Sequence, residues 1–282
     1  MPGSEQPPIG WQGWPDGKQF AVVLTHDVEG RAGLAKCRQL MQLEEELGIH
    51  SCFNFVPEGD YEVPVTLLDE LRQKDFEIGI HDLKHDGRLF VSRRGFSQHA
   101  ARINHYINQW RVCGFRAAFM LHKLDWLHEL DIVYDMSTFD TDPFEPQPDG
   151  HHTIFPFWVE NQLNGNAAFA GTAARGGYVE LPYTLPQDFT LFLLLKEQTP
   201  DIWIKKLDWI ARHGGMALVN IHPDYVCFDG TAPNRMEYPA SHYKALLEYI
   251  RERYDGRFWN TTPAKVAEFF ANATKRAAAR EV

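Results

Sequence analysis

The chain has 282 residues, 44% hydrophobic and 23% charged, enough to bury a full core, and a single α/β barrel fills that length. A formal net charge of −10, with no lysine or arginine run to offset it, excludes a phosphate backbone as partner, so no nucleic acid is expected. The opening stretch MPGSEQPPIGWQGWPDGKQF lacks a basic segment followed by an apolar one, and no later apolar run reaches the ~18 residues of a membrane span; the expectation is no membrane and a cytoplasmic location. The cysteines Cys37, Cys52, Cys113 and Cys227 are widely spaced without a CxxC pair, which suggests neither a disulfide framework nor a cysteine zinc site.

In chain order, residues 1–17 read as an N-terminal extension and 18–282 as one barrel. Strand-like runs occur at FAVVLT (20–25), SCFNFV (51–56), FEIGI (76–80), FRAAF (115–119), IVYDMS (132–137), YVELPYT (178–184), MALVNI (216–221) and RFWNTT (257–262). Amphipathic stretches alternate with them. Residues 31–47 carry Leu34, Cys37, Leu40, Met41 and Leu47 at helical spacing, and Thr199-Pro200 reads as N-cap and first position of a helix over 200–213 that closes on Gly214-Gly215. About seven to eight such βα units predict a (β/α) barrel with a parallel sheet. The stretch 138–177, rich in Pro, Gly and Asn, is too long for a structureless connection and reads as a functional loop or small subdomain.

In a βα barrel chemistry gathers where the strands end, so polar residues that follow an apolar run are the ones to weigh. FAVVLT continues into His26-Asp27-Val28-Glu29, whose D-x-E is chemistry, a solvated loop, or a helix cap with Glu29 near the helix dipole. FEIGI continues into His81-Asp82-Leu83-Lys84-His85. Four residues apart in a helical turn, both imidazoles reach one ion, and two His plus a carboxylate leave open positions as catalytic metal sites do; the plain alternative is a partly exposed pair bonded to Asp82 or Asp86. LVNIHPDY ends a third run on His222, and GFRAAFM supplies Arg116, a fixed cation able to hold a carboxylate ionised. Three strand ends offering Asp/Glu, His-x3-His and His converge on one barrel rim.

These stretches together resemble the polysaccharide deacetylases, carbohydrate esterase family 4. THDVE (25–29) resembles the first family motif, IHDLKHDG (80–87) the His-x3-His motif, FRAAF (115–119) the Arg-x-Pro motif and LVNIHP (218–223) the last, Leu-x-Ile/Val-His. The resemblance spans roughly residues 18 to 225. It implies a distorted (β/α) barrel and a hydrolase that removes an acyl group from an amide nitrogen. It also implies one divalent ion, zinc or similar, held by His81, His85 and Glu29, with Asp27 as base, Arg116 orienting that carboxylate and His222 as general acid. The Asp27 and Glu29 roles are exchangeable at this level. A carboxylate such as Asp224 is expected to raise the His222 pKa.

Ala118 stands where the family usually has proline, Met120 replaces a frequent glycine, and His26 takes a place where phenylalanine is common. The fourth motif is unassigned among Asp140, Asp142 and Asp208. His122 and Trp158 are the candidate substrate contacts, with His151 and His152 near the same mouth; His50, His99, His105, His128, His213 and His242 read as surface or structural. Trp203, Trp209, Phe192 and Leu193 to Leu195 read as core or subunit interface, which leaves room for a homo-oligomer. The expected partner is a small molecule or saccharide bearing an N-acyl group. A hydrolase of cyclic amide, imide or ureide rings is the alternative enzyme, and a barrel that binds without turnover is the alternative outside enzymes.

Overall fold

β1 (Phe20–Val28) is buried along its whole length because both of its edges are paired. On one edge β8 (Met216–Ile221) runs parallel to it, Ala21 opposite Met216 through His26 opposite Ile221. On the other edge the first three residues pair with β11 (Phe258–Asn260) and the last four with β2 (Cys52–Phe55). A strand covered on both faces must be apolar on both, which is why FAVVL runs without alternation. In this computed structural model the residues described are 3–139, 151–161, 176–228, 230 and 232–278.

From β2 the sheet continues in parallel through β3 (Glu77–His81), β4 (Gly114–Arg116), β5 (Tyr134–Asp135) and β7 (Gly177–Glu180). β6 (Phe157–Glu160) adds to β7 as an antiparallel hairpin arm. The ring then closes through irregular chain: the Thr184 and Leu185 amides both donate to the Leu218 carbonyl, at 3.2 and 3.1 Å. A closure made by two amides in place of a full strand is what distorts the barrel.

The crossovers are helical. α1 (Arg31–Glu46) buries Cys37, Leu40 and Met41, the last two each worth about 1.5–3 kcal/mol if fully removed from water. α2 (Val65–Gln73), α3 (Arg93–Trp110) and the single turn α4 (Leu124–Leu127) follow, then α5 (Asp201–His213). A short parallel pair, β9 (Val226–Cys227) with β10 (Tyr238–Pro239), leads into α6 (Ala240–Tyr254), and α7 (Pro263–Ala278) ends the described chain. Among the described residues no helix is long and apolar enough to cross a membrane.

Several expected boundaries move. The β4 strand stops at Arg116, and 118–120 forms a tight turn in which Phe119 and Met120 both take φ 54, so FRAAF is a strand only in its first half. Pro200 is itself the N-cap of α5, with no side-chain bond from Thr199, and Gly214 closes the helix in the left-handed region at φ 71. Asp208 lies on α5, where it accepts from Tyr249 and Tyr254. Asp140, Asp142 and most of the 138–177 stretch lie outside the described residues. The N-terminal extension packs on the barrel: the Trp14 indole donates to the Gly214 carbonyl at 2.7 Å, and Trp11 meets Trp14, Phe155 and Phe269 edge-on. It thus covers the barrel end opposite the one where β1, β3 and β8 terminate.

Candidate metal centre and its cleft

Strand alternation sorts the polar residues at the top of β1. His26 points outward, where its Nε2 meets Glu44 Oε1 of α1 at 2.8 Å in full burial. Thr25 and Asp27 point inward and join a layer of polar groups supplied by the neighbouring strands. Asn54 of β2 donates to Asp27 Oδ1 at 2.9 Å, Asn220 of β8 donates to Oδ2 at 2.8 Å, and Arg116 of β4 donates to Oδ1 at 3.1 Å. The same guanidinium donates to Thr25 Oγ1, Asn220 Oδ1 and the Met136 carbonyl, and its Cζ lies 4.3 Å from the centre of the Tyr183 ring. Burial pushes the Asp27 carboxyl up, but Arg116, His81, His222 and the Asn54 amide together hold it well below the usual carboxylate range. Asn54 reaches its place only because Gly79 leaves room: a Cβ there would lie 2.1 Å from Asn54 Oδ1.

His81 closes β3. Its Nδ1 lies 3.2 Å from the Arg116 carbonyl and is therefore the protonated nitrogen, which turns an unprotonated Nε2 toward the cleft, buried and without a hydrogen-bond partner. Burial lowers its pKa, so the ring is neutral near pH 7. His85 is not on a helical turn with it, contrary to the expectation from spacing. The chain leaves β3 through a loop with Asp82 at φ 56 and His85 at φ 54, and this loop folds the two imidazoles to 4.9 Å between ring centres. His85 Nε2 lies 3.0 Å from Glu29 Oε1. Burial lowers the His85 pKa and the Glu29 carboxylate more than restores it, for a net rise. Glu29 is pushed up by burial and brought down to about 2 by His222, His85 and His81, and its other oxygen accepts from the Tyr225 hydroxyl at 2.8 Å.

Donor atoms of Glu29, His81 and His85 lie within 4.8 Å of one another. A buried imidazole nitrogen with no partner, beside a second imidazole and an ionised carboxylate, is the donor chemistry of a divalent-ion site, so these residues fit such an ion. Asp27 lies just behind, with Oδ2 3.9 Å from His81 Nε2.

His222 stands where β8 ends, and Asp188 holds it. Its Nδ1 is 2.6 Å from Asp188 Oδ1 and its amide donates to Oδ2 at 2.8 Å. Burial lowers the ring's pKa, but Asp188 and Glu29 raise it to about 10. Asn220 Nδ2 sits 3.2 Å from Nε2, placed to donate to that nitrogen whenever it is unprotonated. Asp224 is not the partner of His222. It accepts from the amides of Glu29 at 3.0 Å and Gly33 at 2.9 Å, so it secures the loop that carries Glu29; a Cβ on Gly33 would fall 2.1 Å from its Oδ2.

Asp27, Glu29, His81, His85 and His222 open into one cleft of about 430 Å³. The structure thus brings together the expected ligands, base and acid, with Arg116 beneath. His122 lies instead in a separate depression with Lys123 and Asp125, and Trp158 packs over Gly177 in the β6–β7 hairpin; neither lines the cleft. Sequence reading missed Asn54, Asn220 and Asp188. The two asparagines interrupt apolar runs at inward positions, a signal available in SCFNFV and MALVNI. Asp188 has no such signal, since it starts a π-helical turn 34 residues before the histidine it holds.

No family model matches the chain, and no curated protein does. Solved structures do. A Mycobacterium smegmatis protein assigned as a polysaccharide deacetylase superposes with a TM-score of 0.65 at 17% identity, covering 93% of each chain. The fold is that of the polysaccharide deacetylases. A peptidoglycan deacetylase from Bacillus subtilis matches 95% of this chain and 96% of its own at 11% identity with TM-score 0.48. A carbohydrate esterase family 4 pseudoenzyme from Bacillus anthracis matches 90% of this chain and 66% of its own at 12% identity with TM-score 0.49. At 17% identity the Mycobacterium smegmatis likeness speaks for the fold alone, and function has to be argued from the site.

Proposed function

We propose that the chain is a metal-dependent hydrolase that removes an acyl group from an amide nitrogen. The observation that carries this reading is the partnerless, buried His81 Nε2 beside Glu29 and His85, faced across the same cleft by an ionised Asp27 and by His222 on Asp188. A divalent ion such as zinc, held by Glu29, His81 and His85, would supply Lewis acidity to the substrate carbonyl and acidity to an attacking water.

The chain's own groups do the rest. Asp27 takes the water's proton at Oδ2, the oxygen nearer the ligand histidines, while Arg116 and Asn54 anchor Oδ1 and keep the carboxylate oriented. His222, protonated at Nε2, gives its proton to the departing nitrogen. Asn220 then donates to the vacated lone pair, and Asp188 keeps the imidazole aligned throughout. Since Asn220 also binds Asp27 and Arg116, base and acid are mechanically joined through one amide.

The intact donor set, base and acid speak against a barrel that only binds. The test is zinc-loaded protein incubated with N-acetylated amines, N-acetylated oligosaccharides and cyclic imides, with free amine, acetate and ring opening measured separately. Release of amine supports the reading, ring opening moves the chain to the cyclic amidohydrolases, and stoichiometric ion with no turnover of any amide overturns it.

A further inference from the structure

Outside the reacting centre the cleft is walled by hydrocarbon. One wall is the turn after β4, where Phe119 and Met120 follow Ala117 into the lining. Two consecutive residues at positive φ hold that turn open, a conformation non-glycine residues adopt at a cost. Its result is a Phe119 ring 4.6 Å from the His85 ring and still 61% exposed. The facing wall is the π-helical turn Phe189–Leu194, which begins at Asp188 and presents Phe189, Thr190 and Leu194, the last 62% exposed. Phe192 and Leu193 of the same turn are buried in the core, so the segment is anchored while Leu194 and Leu195 stand clear. π-Turns recur at functional sites, and this one carries both the Asp188 carboxylate that holds His222 and an apolar wall.

Few polar side chains line the cleft beyond the reacting groups: Tyr225 donates to Glu29, Tyr183 donates to Asp27, and Gln187 and Thr190 complete the set. A sugar chain brings several hydroxyls per ring, and each one buried against Phe119, Met120 or Leu194 without a partner is costly. A hydrocarbon group gains by covering the same surface, and large exposed apolar side chains grouped around a cleft mark what the cleft receives.

Resting on the hydrolase reading above, we infer that the amide this cleft takes carries an aryl or alkyl group lying between Phe119 and Leu194, in place of a polyhydroxylated sugar chain. Phe119 and Leu194 are then specificity-determining residues.

Calorimetry on the zinc-loaded, full-length Asp27→Asn protein tests this, with N-phenethylacetamide and N-methylphenylacetamide as apolar probes and triacetylchitotriose as the saccharide. The expected result is that at least one apolar amide binds about tenfold more tightly than the saccharide, and that Leu194→Asp and Phe119→Ser each weaken it about tenfold, a methylene-to-side-chain-sized discrimination. Equal or tighter binding of triacetylchitotriose, no binding of either apolar amide, or unchanged binding in both variants overturns the inference. A change from dimer to monomer in Leu194→Asp without loss of amide binding overturns it as well, since the exposed leucines would then serve a subunit contact. Wild-type turnover separates the two readings: a preference for the apolar amide in binding with no hydrolysis of either class removes the hydrolase alone, whereas faster hydrolysis of the saccharide removes this inference alone.

Discussion

The Asp188 carboxylate grips His222 at two points, Oδ1 2.6 Å from the ring Nδ1 and Oδ2 2.8 Å from the backbone nitrogen, while the Tyr238 hydroxyl donates to Oδ2 at 3.0 Å. With the Phe189 amide donating to Oδ1 at 2.8 Å as well, a carboxylate held by four donors cannot turn away, so the imidazole's orientation and tautomer are set before any substrate arrives. Asp188→Asn should therefore lower activity without releasing metal. Because Asp188 raises the His222 pKa, its removal lowers that pKa, and the acid form is lost at lower pH than in the parent protein. The basic limb of the pH–rate profile should move down; an unmoved limb would remove Asp188 from this role.

His222→Ala should keep metal and fold and lose about 10²–10⁴-fold in amide turnover, the usual contribution of a positioned acid. The loss should be smaller on an ester whose leaving group needs no proton. Stopped amide hydrolysis with parallel elemental analysis checks both halves. Lost metal would instead make this histidine a ligand.

Glu29 and Asp27 should separate cleanly. Glu29→Ala should lose metal affinity, because its Oε1 lies beside His85 Nε2. Asp27→Asn should keep the ion and lose turnover, since Asp27 is occupied by Asn54, Asn220 and Arg116. Metal content by mass spectrometry, read beside activity, gives the answer, and the opposite pattern would exchange the two roles.

Metal content should be about one divalent ion per chain, and His81→Ala should abolish it. The pH dependence follows from His85. Its pKa is raised, so above that value the ring is neutral and affinity is full, and as pH falls through it a proton must be displaced from the ligand. Glu29, at about 2, stays ionised over the same span. Affinity should thus begin to fall above the ordinary imidazole range of about 6.5, measured by competition with a chromophoric chelator. Affinity flat from pH 8 to 5 would contradict a histidine-bound ion.

A fifth expectation concerns stability alone. Glu44 is fully buried and joins His26, Ser51 and Tyr243 through its two oxygens. Glu44→Ala strands these buried partners and should cost about 1–3 kcal/mol or more in urea unfolding, the penalty of leaving buried polar groups unpaired. The metal content of the folded fraction should not change, because His26 faces away from the cleft. A cost below about 1 kcal/mol would place the network among dispensable contacts.

Much of the fold was legible because parallel strands and their helices write local patterns. MALVNI is β8 residue for residue, and the 31–47 periodicity is α1 to within a residue at its end. His81, His85, Glu29, Asp27 and His222 were legible as candidates because a barrel delivers strand ends to one rim, while the roles expected of them came from the family resemblance. The helical turn expected for His81 and His85 failed because i, i+4 spacing says only that two rings can meet, and here a loop with two left-handed residues brings them together instead. The partner of His222 was open to error for a related reason: Asp224 is two residues away in sequence, yet the tight turn after β8 points it at the amides of Glu29 and Gly33, and the carboxylate that reaches the ring comes from the start of the π-turn. The apolar walls depended on the tertiary structure as well. Whether Phe119 and Leu194 are core or rim turns on a backbone twist and a π-turn, and neither leaves a mark in residue order, since both are decided by how the barrel closes around them.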